Sequence, residues 1–396
     1  MTTYLYPLDR KLIIVTVITD LVTDYRVHKI CQTLHNNGYR VLLTGSLRND
    51  SLTLKSRDYQ TDRIKTWFRS SALFYIEFNI RLFLRLLSKN GEIYLGNDLD
   101  VMPATAILAR FKKKPLVYDS HEYFLGMAGL EEKPFRRSLW KFMETRVLLQ
   151  VKYMYTVSDS IRNLYRKHYD NKIFVVRNLP LANPVIPELG NEEKKWINAI
   201  DQQIPENKCL ILYQGAGINI HRGVEELVFS MIFLDGAAFH LLIVGGGDIM
   251  QKLRKMIDQN KLTEKITLIP KVPFAVLSHF TRKARLGISI DKPSVLNHRY
   301  SLPNKLFEYL HAGVPVLASR LPEQERIINQ YEVGDFIDSH QPEHIAFKIK
   351  EIFADPCLLK QWKENTHHVR EALNWENESK IVLDIFKQVE KDSVNY

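Results

Sequence analysis

Short apolar runs alternate with longer stretches of helical apolar spacing along nearly the whole chain. An apolar run of roughly four to eight residues bounded by turn residues reads as a buried strand, and a longer 3.6-residue pattern reads as an amphipathic helix. In the first half, strands are expected at 12–18, 41–44, 92–95, 116–118, 153–157 and 173–176. In the second half, they are expected at 209–213, 240–244, 266–269, 286–290 and 314–318. Strand–helix alternation builds parallel sheets covered by helices, so each half is expected to be one doubly wound α/β domain of Rossmann type.

The stretch 178–206 contains Pro180, Pro184, Pro187 and Pro205. Proline fixes the backbone and removes a donor, so this stretch reads as a linker with a short helix around Trp196. The expected division is an N-terminal domain over 1–180, a linker over 181–206 and a C-terminal domain over 207–375. A further helix follows, from 376 to the end. Ligands in such sheets lie at the carboxyl ends of the strands, so two sheets facing each other would leave a cleft there.

Composition fits this picture. A chain of 396 residues favours two domains, and 45% apolar with 25% charged residues is globular in character. No fixed-period repeat is visible, which argues against solenoids and propellers. Cys31, Cys209 and Cys357 are far apart in sequence, so neither a metal framework nor a disulfide set is expected. The opening ten residues are polar and the first apolar run is short, so no signal peptide is expected. Nor is there an uncharged apolar stretch of about 18 residues. Cytoplasmic placement is therefore expected. The net charge of +10 suits a phosphate-bearing ligand or anionic lipid, or simply a solvated basic surface. Nucleic acid is not expected, because no recognition helix or stacking platform accompanies the charge.

Candidate chemistry concentrates in the second half. Tyr213-Gln-Gly-Ala-Gly217 follows a strand and leads to His221-Arg-Gly223. Gly215 and Gly217 would let backbone approach an anion, with Arg222 as a fixed fork for a diphosphate, or they form an ordinary tight turn. Ile243-Val-Gly-Gly-Gly-Asp248 carries Gly245 and Gly246 and admits the same two readings. Neither loop has the spacing of a nicotinamide dinucleotide fingerprint. The most specific segment runs from Tyr300 through Ser301, Leu302, Pro303, Asn304, Lys305 and Glu308 to Val316. Pro303 begins a helix whose first amides, with Lys305, suit a phosphate. Glu308 stands one turn on, on the same face, where it can accept ribose hydroxyls. Gly313 then ends the helix.

This segment, together with the upstream Tyr-Gln-Gly, Arg-Gly and Gly-Gly-Gly loops, resembles the donor half of GT-B glycosyltransferases, in particular the retaining family 4 (glycosyltransferase group 1) type. Asp24-Tyr-Arg26-Val resembles that family's opening segment, Tyr118-Asp119-Ser-His121-Glu122 its strand-end histidine motif, and Asn374-Trp-Glu376 its closing helix, which crosses back to the first domain. The resemblance implies a GT-B fold and transfer of a sugar from a UDP- or GDP-linked donor to a glycan or lipid-linked acceptor. It implies retention, a place in cell-surface polysaccharide or glycoconjugate synthesis, and no metal or other cofactor. Arg222 and Lys305 would stabilise the diphosphate leaving group and Glu308 would hold the ribose. Lys271 and Val272, beyond the strand at 266–269, are assigned to the donor side. His121 would contact the transferred sugar or the acceptor. Asp24, Arg26, Asp119 and Glu122 belong to the acceptor side, or in the case of Asp24 and Arg26 to an ordinary helix start. Two departures stand out: Tyr300 occupies the place of the family's first glutamate, and no basic residue follows Arg222 within 225–228.

Two segments suggest a membrane. Over 64–89 an apolar, aromatic-rich helix is expected, with Glu77, Arg81, Arg85 and Lys89 forming one narrow stripe. The run 133–142 mixes basic and aromatic residues. Both read as interfacial elements that would hold the protein at an anionic surface, peripherally on the inner face of the plasma membrane, or as core helices with one wet face. Two rival functions share the fold: a nucleotide-sugar 2-epimerase, and a catalytically inactive scaffold.

Overall fold

The computed structural model describes residues 10–49, 51–68, 70–127, 129–130, 133–184 and 189–393. The expected polar start before Arg10 and the linker's Pro187 lie outside the described residues. The chain forms two compact units, one of 1–178 with 378–396 and one of 179–377.

In the first unit the strands are β1 (Leu12–Asp20), β2 (Arg40–Leu47), β3 (Gln60–Lys65), β4 (Ile93–Asn97), β5 (Leu116–Ser120), β6 (Tyr153–Thr156) and β7 (Lys172–Val175). Its helices are α1 (Tyr25–Asn36), α2 (Ser71–Leu86), α3 (Met102–Phe111), α4 (Pro134–Leu148) and α5 (Asp159–Arg166). The strands form a parallel seven-stranded sheet in the order β3-β2-β1-β4-β5-β6-β7.

The second unit has α6 (Asn191–Asp201), β8 (Cys209–Gly215), α7 (Val224–Ser230), β9 (Phe239–Gly245), α8 (Met250–Gln259), β10 (Ile266–Ile269), α9 (Phe274–Lys283) and β11 (Leu286–Ser289). It continues through α10 (Leu296–Tyr300), α11 (Asn304–His311), β12 (Val316–Ser319), α12 (Pro322–Tyr331), β13 (Gly334–Ile337), α13 (Pro342–Ala354) and α14 (Pro356–Ala372). Its parallel six-stranded order is β10-β9-β8-β11-β12-β13. The last helix, α15 (Trp375–Ser393), begins in the second unit and runs into the first, where Val382, Ile385, Phe386 and Val389 are buried.

Each core follows from the apolar runs. Ile13, Ile14 and Val15 in the first unit, and Ile211, Leu241 and Ile243 in the second, are fully buried in strands covered on both faces. In both sheets the strand order reverses once, between β1 and β4 and between β8 and β11. These are the switch points at which the loops beyond the carboxyl ends diverge and leave room for a ligand.

The expected helix over 64–89 is shorter than its sequence pattern. Ile64 and Lys65 belong to the edge strand β3, and helix runs only over α2. Phe74, Phe78, Leu82 and Leu86 face the core. Much of the charged stripe is engaged within the protein. Glu77 accepts from the amides of Trp67 and Phe68 and pairs with Arg81, while Arg85 grips Asp62 of β3 through two hydrogen bonds of 2.7 and 3.0 Å.

Candidate functional site

Beyond the carboxyl ends of β8 and β11, four side chains of the second unit converge. Asp291, two residues past β11, is 1% exposed. Its carboxylate accepts from Arg222 Nη1 at 3.0 Å through one oxygen and from Lys305 Nζ at 3.2 Å through the other. Lys305 also donates to the Tyr213 hydroxyl at 3.0 Å and lies 4.3 Å from the centre of that ring. Burial favours neutral Asp291, but Lys305 and Arg222 outweigh it and hold the carboxyl below its ordinary value. Burial lowers the Lys305 ammonium, and the opposing pull of Asp291 does not fully restore it. Two cations thus share the Asp291 carboxylate, with Glu308 a second anion acting on Lys305.

Glu308, one turn along α11, accepts a hydrogen bond of 2.5 Å from Gln214 Nε2. Gln214 in turn accepts from Thr281 Oγ1 at 2.9 Å, and its amide donates to the Tyr309 hydroxyl at 2.9 Å. This chain fixes the Glu308 carboxylate from behind. Pro303 proves to be the residue before the helix, in extended conformation, and not its first turn. Ser301 and Leu302 lead into it, and Asn304 begins α11. Gly313, with φ of 78°, closes the helix as expected for a left-handed terminus.

The glycine loops divide into two kinds. A Cβ on Gly245, whose φ is 152°, would lie 1.9 Å from the Gly215 carbonyl oxygen, so its glycine is demanded by packing of one loop on the other. A Cβ on Gly246 would meet the exposed Lys271 side chain at 2.9 Å. Val272, beside Lys271, packs on the core. At Gly215 and Gly217 a Cβ would meet neighbours only at 3.8 and 3.5 Å, which is ordinary contact. The protein's own packing therefore does not require glycine at these two positions.

A second cluster occupies the switch point of the first unit. His121 follows β5, and both its ring nitrogens meet carboxylates: Nδ1 lies 3.0 Å from Asp98 and Nε2 3.2 Å from Asp119. Asp98 also accepts from the His121 amide at 2.8 Å. It holds that position in a left-handed conformation with φ of 62°, uncommon outside glycine. Asp119, fully buried, receives a two-pronged grip from Arg26 at 2.7 and 3.1 Å. Burial disfavours the imidazolium, yet Asp98 and Asp119 together raise the His121 pKa well above its ordinary value. Asp119 stays ionised because Arg26 and His121 outweigh its burial. Asp100, nearby, is pushed towards its neutral form by burial and by the charge of Asp98.

Sequence reading placed His121, Asp119, Arg222, Lys305 and Glu308 in the two sites and did not single out Asp98, Asp100, Gln214 or Asp291. Each lies at or within two residues of a strand end, except Asp100, three residues on, and strand ends are where such sheets present ligand groups. Two residues assigned to the acceptor side have internal tasks. Asp24 caps α1 through the Val27 amide, and Arg26, 5% exposed, bonds Asp119 and the Val176 carbonyl. The carbonyl of Glu122 accepts from Ser120 at 2.8 Å, and the second carboxylate at the His121 ring, beside Asp119, is Asp98.

Two parallel doubly wound α/β units, each with one switch point, are the architecture of GT-B glycosyltransferases. Residues 194–369 match the family described as glycosyl transferases group 1. The fold is that of sucrose-phosphate synthase from Thermosynechococcus elongatus, with 15% identity over 97% of this chain and 100% of that one and a TM-score of 0.79. A glycosyltransferase from Rickettsia africae is 18% identical over 97% of this chain and 99% of its own, with a TM-score of 0.71. The Anabaena HepE protein, in complex with UDP and glucose, is 11% identical over 95% and 99%, also at 0.71. No curated protein matches the sequence. The match to the group 1 family lies in the second unit, and the whole chain shares the fold of these glycosyltransferases.

Proposed function

We propose that the protein moves a sugar from a nucleotide-diphosphate sugar to a glycan or lipid-linked acceptor, with retention of anomeric configuration, in the synthesis of a cell-surface polysaccharide or glycoconjugate. The observation that carries this reading is the pairing of Arg222 and Lys305 on Asp291 beside the tethered Glu308, inside the group 1 domain. Two preorganised cations counter the charge that develops on a departing diphosphate. Glu308 accepts hydroxyl hydrogens of the ribose, and the open places at Gly215 and Gly217 allow close approach of the donor. Because the cations supply the leaving-group charge, the reaction needs no divalent metal. HepE was solved with UDP-glucose, which supports a uridine donor over a guanosine one.

Retention fits a chemistry in which the departing phosphate oxygen takes the acceptor proton. His121 then acts as a fixed positive group against sugar or acceptor, since both its nitrogens already face carboxylates. The test is release of UDP or GDP from a panel of nucleotide sugars with and without a chelator. Turnover that survives chelation and collapses in Lys305→Ala supports the reading. Wild-type rates in Lys305→Ala and Glu308→Ala would refute it, and sugar isomerisation with donor alone would replace transfer by epimerisation.

The acceptor side has a surface suited to a lipid-linked substrate on the cytoplasmic face of a membrane. No helix among the described residues is long and apolar enough to cross one. On α2, Leu73, Ile76, Ile80 and Leu84 are exposed opposite the core face, and on α4 so are Phe135, Leu139 and Phe142. The Tyr75 and Trp140 rings, 5.9 Å apart, join the two helices into one apolar surface flanked by Arg136, Arg137 and Lys141. Such a surface inserts shallowly while its cations meet anionic head groups. Co-sedimentation with phosphatidylglycerol vesicles, lost in the Ile80→Glu, Phe135→Glu double variant, is expected. Binding independent of anionic lipid would overturn it.

A further inference from the structure

His298 is a buried imidazole in the donor cluster without a role in the chemistry above. It lies on α10, between Asp291 and Pro303 in the chain, and its carbonyl accepts from Ser301 Oγ at 3.2 Å. The residue is 9% exposed, and Nδ1 is buried without a hydrogen-bond partner among the described residues. A buried ring nitrogen left unsatisfied is costly unless a ligand completes it. Its charged neighbours are Arg222, Asp291, His221 and Lys305. Burial, Arg222, His221 and Lys305 together push its proton affinity down, to a pKa of about 4, against the pull of Asp291. Among these groups the ring is therefore neutral, because the pull of Asp291 does not outweigh burial and the neighbouring cations.

A bound diphosphate changes that balance. It brings two negative charges beside Arg222 and Lys305, the two cations that hold the ring's proton affinity down, so the field on the ring shifts towards favouring the imidazolium. We propose that His298 is a further donor-binding residue, whose unpartnered ring nitrogen hydrogen-bonds the diphosphate held by Arg222 and Lys305. This rests on the donor reading of the same cluster. Its consequence is specific: the imidazole takes a proton from solvent as the nucleotide sugar arrives and returns it when the nucleotide leaves. Donor affinity consequently rises as pH falls through the neutral range.

The test is calorimetric titration of the full chain with UDP-glucose and with GDP-mannose near pH 6.5, in buffers of differing ionisation enthalpy. An esterified diphosphate has no proton to exchange there, unlike a terminal phosphate with its second pKa of about 6. Wild-type protein is expected to take up a large fraction of one proton per nucleotide sugar bound. His298→Gln can still hydrogen-bond but cannot titrate, so its uptake falls to near zero and its affinity drops by about 3- to 10-fold, on the order of one lost hydrogen bond. His221→Gln keeps the uptake. Binding by wild type without proton exchange overturns the role of His298, and so does undiminished uptake in His298→Gln. If neither nucleotide sugar binds wild type, the donor reading itself fails and takes this role with it.

Discussion

The two charged clusters are built as opposites. In the second unit one carboxylate, Asp291, stands between two cations, Arg222 and Lys305. In the first unit one imidazolium, His121, stands between two carboxylates, Asp98 and Asp119, and Arg26 closes the circuit. In the first arrangement the cations outnumber the carboxylate they directly hold, with Glu308 a further anion acting on Lys305; the second pairs its charges in direct contact. On the proposed reading the first cluster, unbalanced in its direct contacts, takes an anionic ligand, whereas the second, balanced in them, holds a group in position.

The largest expected effect lies in the unbalanced cluster. Lys305→Ala removes one of its two cations and should lower kcat/KM by about 10²- to 10³-fold, the usual loss for one preorganised electrostatic group. Nucleotide release under subsaturating donor checks this, and a change below about threefold would break the distinction between the clusters. Next comes the balanced cluster. Asp119→Ala leaves Arg26 and His121 buried without their shared partner and should cost about 3–5 kcal/mol of stability by urea unfolding. Added pyrophosphate should not restore it, whereas it should raise the melting temperature of Asp291→Ala, where two cations are left facing the ligand place.

The smallest effect is in pH. The folded pKa of His121 is raised, so its stabilisation is complete below the unfolded value of about 6.5 and is lost as pH rises through the folded one. Lys305 is lowered, so its charge opposes folding at neutral pH and that penalty fades as pH rises past its folded value. The stability gap between wild type and His121→Gln should therefore shrink with rising alkalinity, by at most about 1.4 kcal/mol per pH unit. The gap between wild type and Lys305→Met should move the opposite way. Parallel trends in the two variants would erase the contrast.

Eleven strands were legible as apolar runs because parallel strands covered on both faces carry little else. Two were not, β3 and β13, and both are sheet edges. Gln60-Thr-Asp-Arg-Ile-Lys65 is mostly polar, with Ile64 its only buried residue, and Gly334-Asp-Phe-Ile337 opens on a glycine and an aspartate and buries only Phe336 and Ile337. The same β3 explains why the apolar pattern over 64–89 overstated a helix. In the site, Lys305 and Glu308 were legible because helical spacing places them on one face. Asp98 and Asp291 were hidden for a different reason. Each follows a strand in an unremarkable polar turn, and only the fold brings Asp98 to His121, 23 residues away, or Asp291 to Arg222, 69 residues away.

The chain passes between the units twice, after Asn178 and after Asn377, and the final helix completes the core of the unit that the first residues begin. Tyr39 packs near Phe386, ring centres 6.3 Å apart, across almost the full length of the sequence. On the ribosome, where domains generally fold as they emerge, this order is inverted. The amino-terminal unit must wait with part of its apolar surface uncovered until α15 has been made, while the unit between can already be finished. A chain stopped before α15 would therefore yield an intact second unit attached to a first unit that never closes.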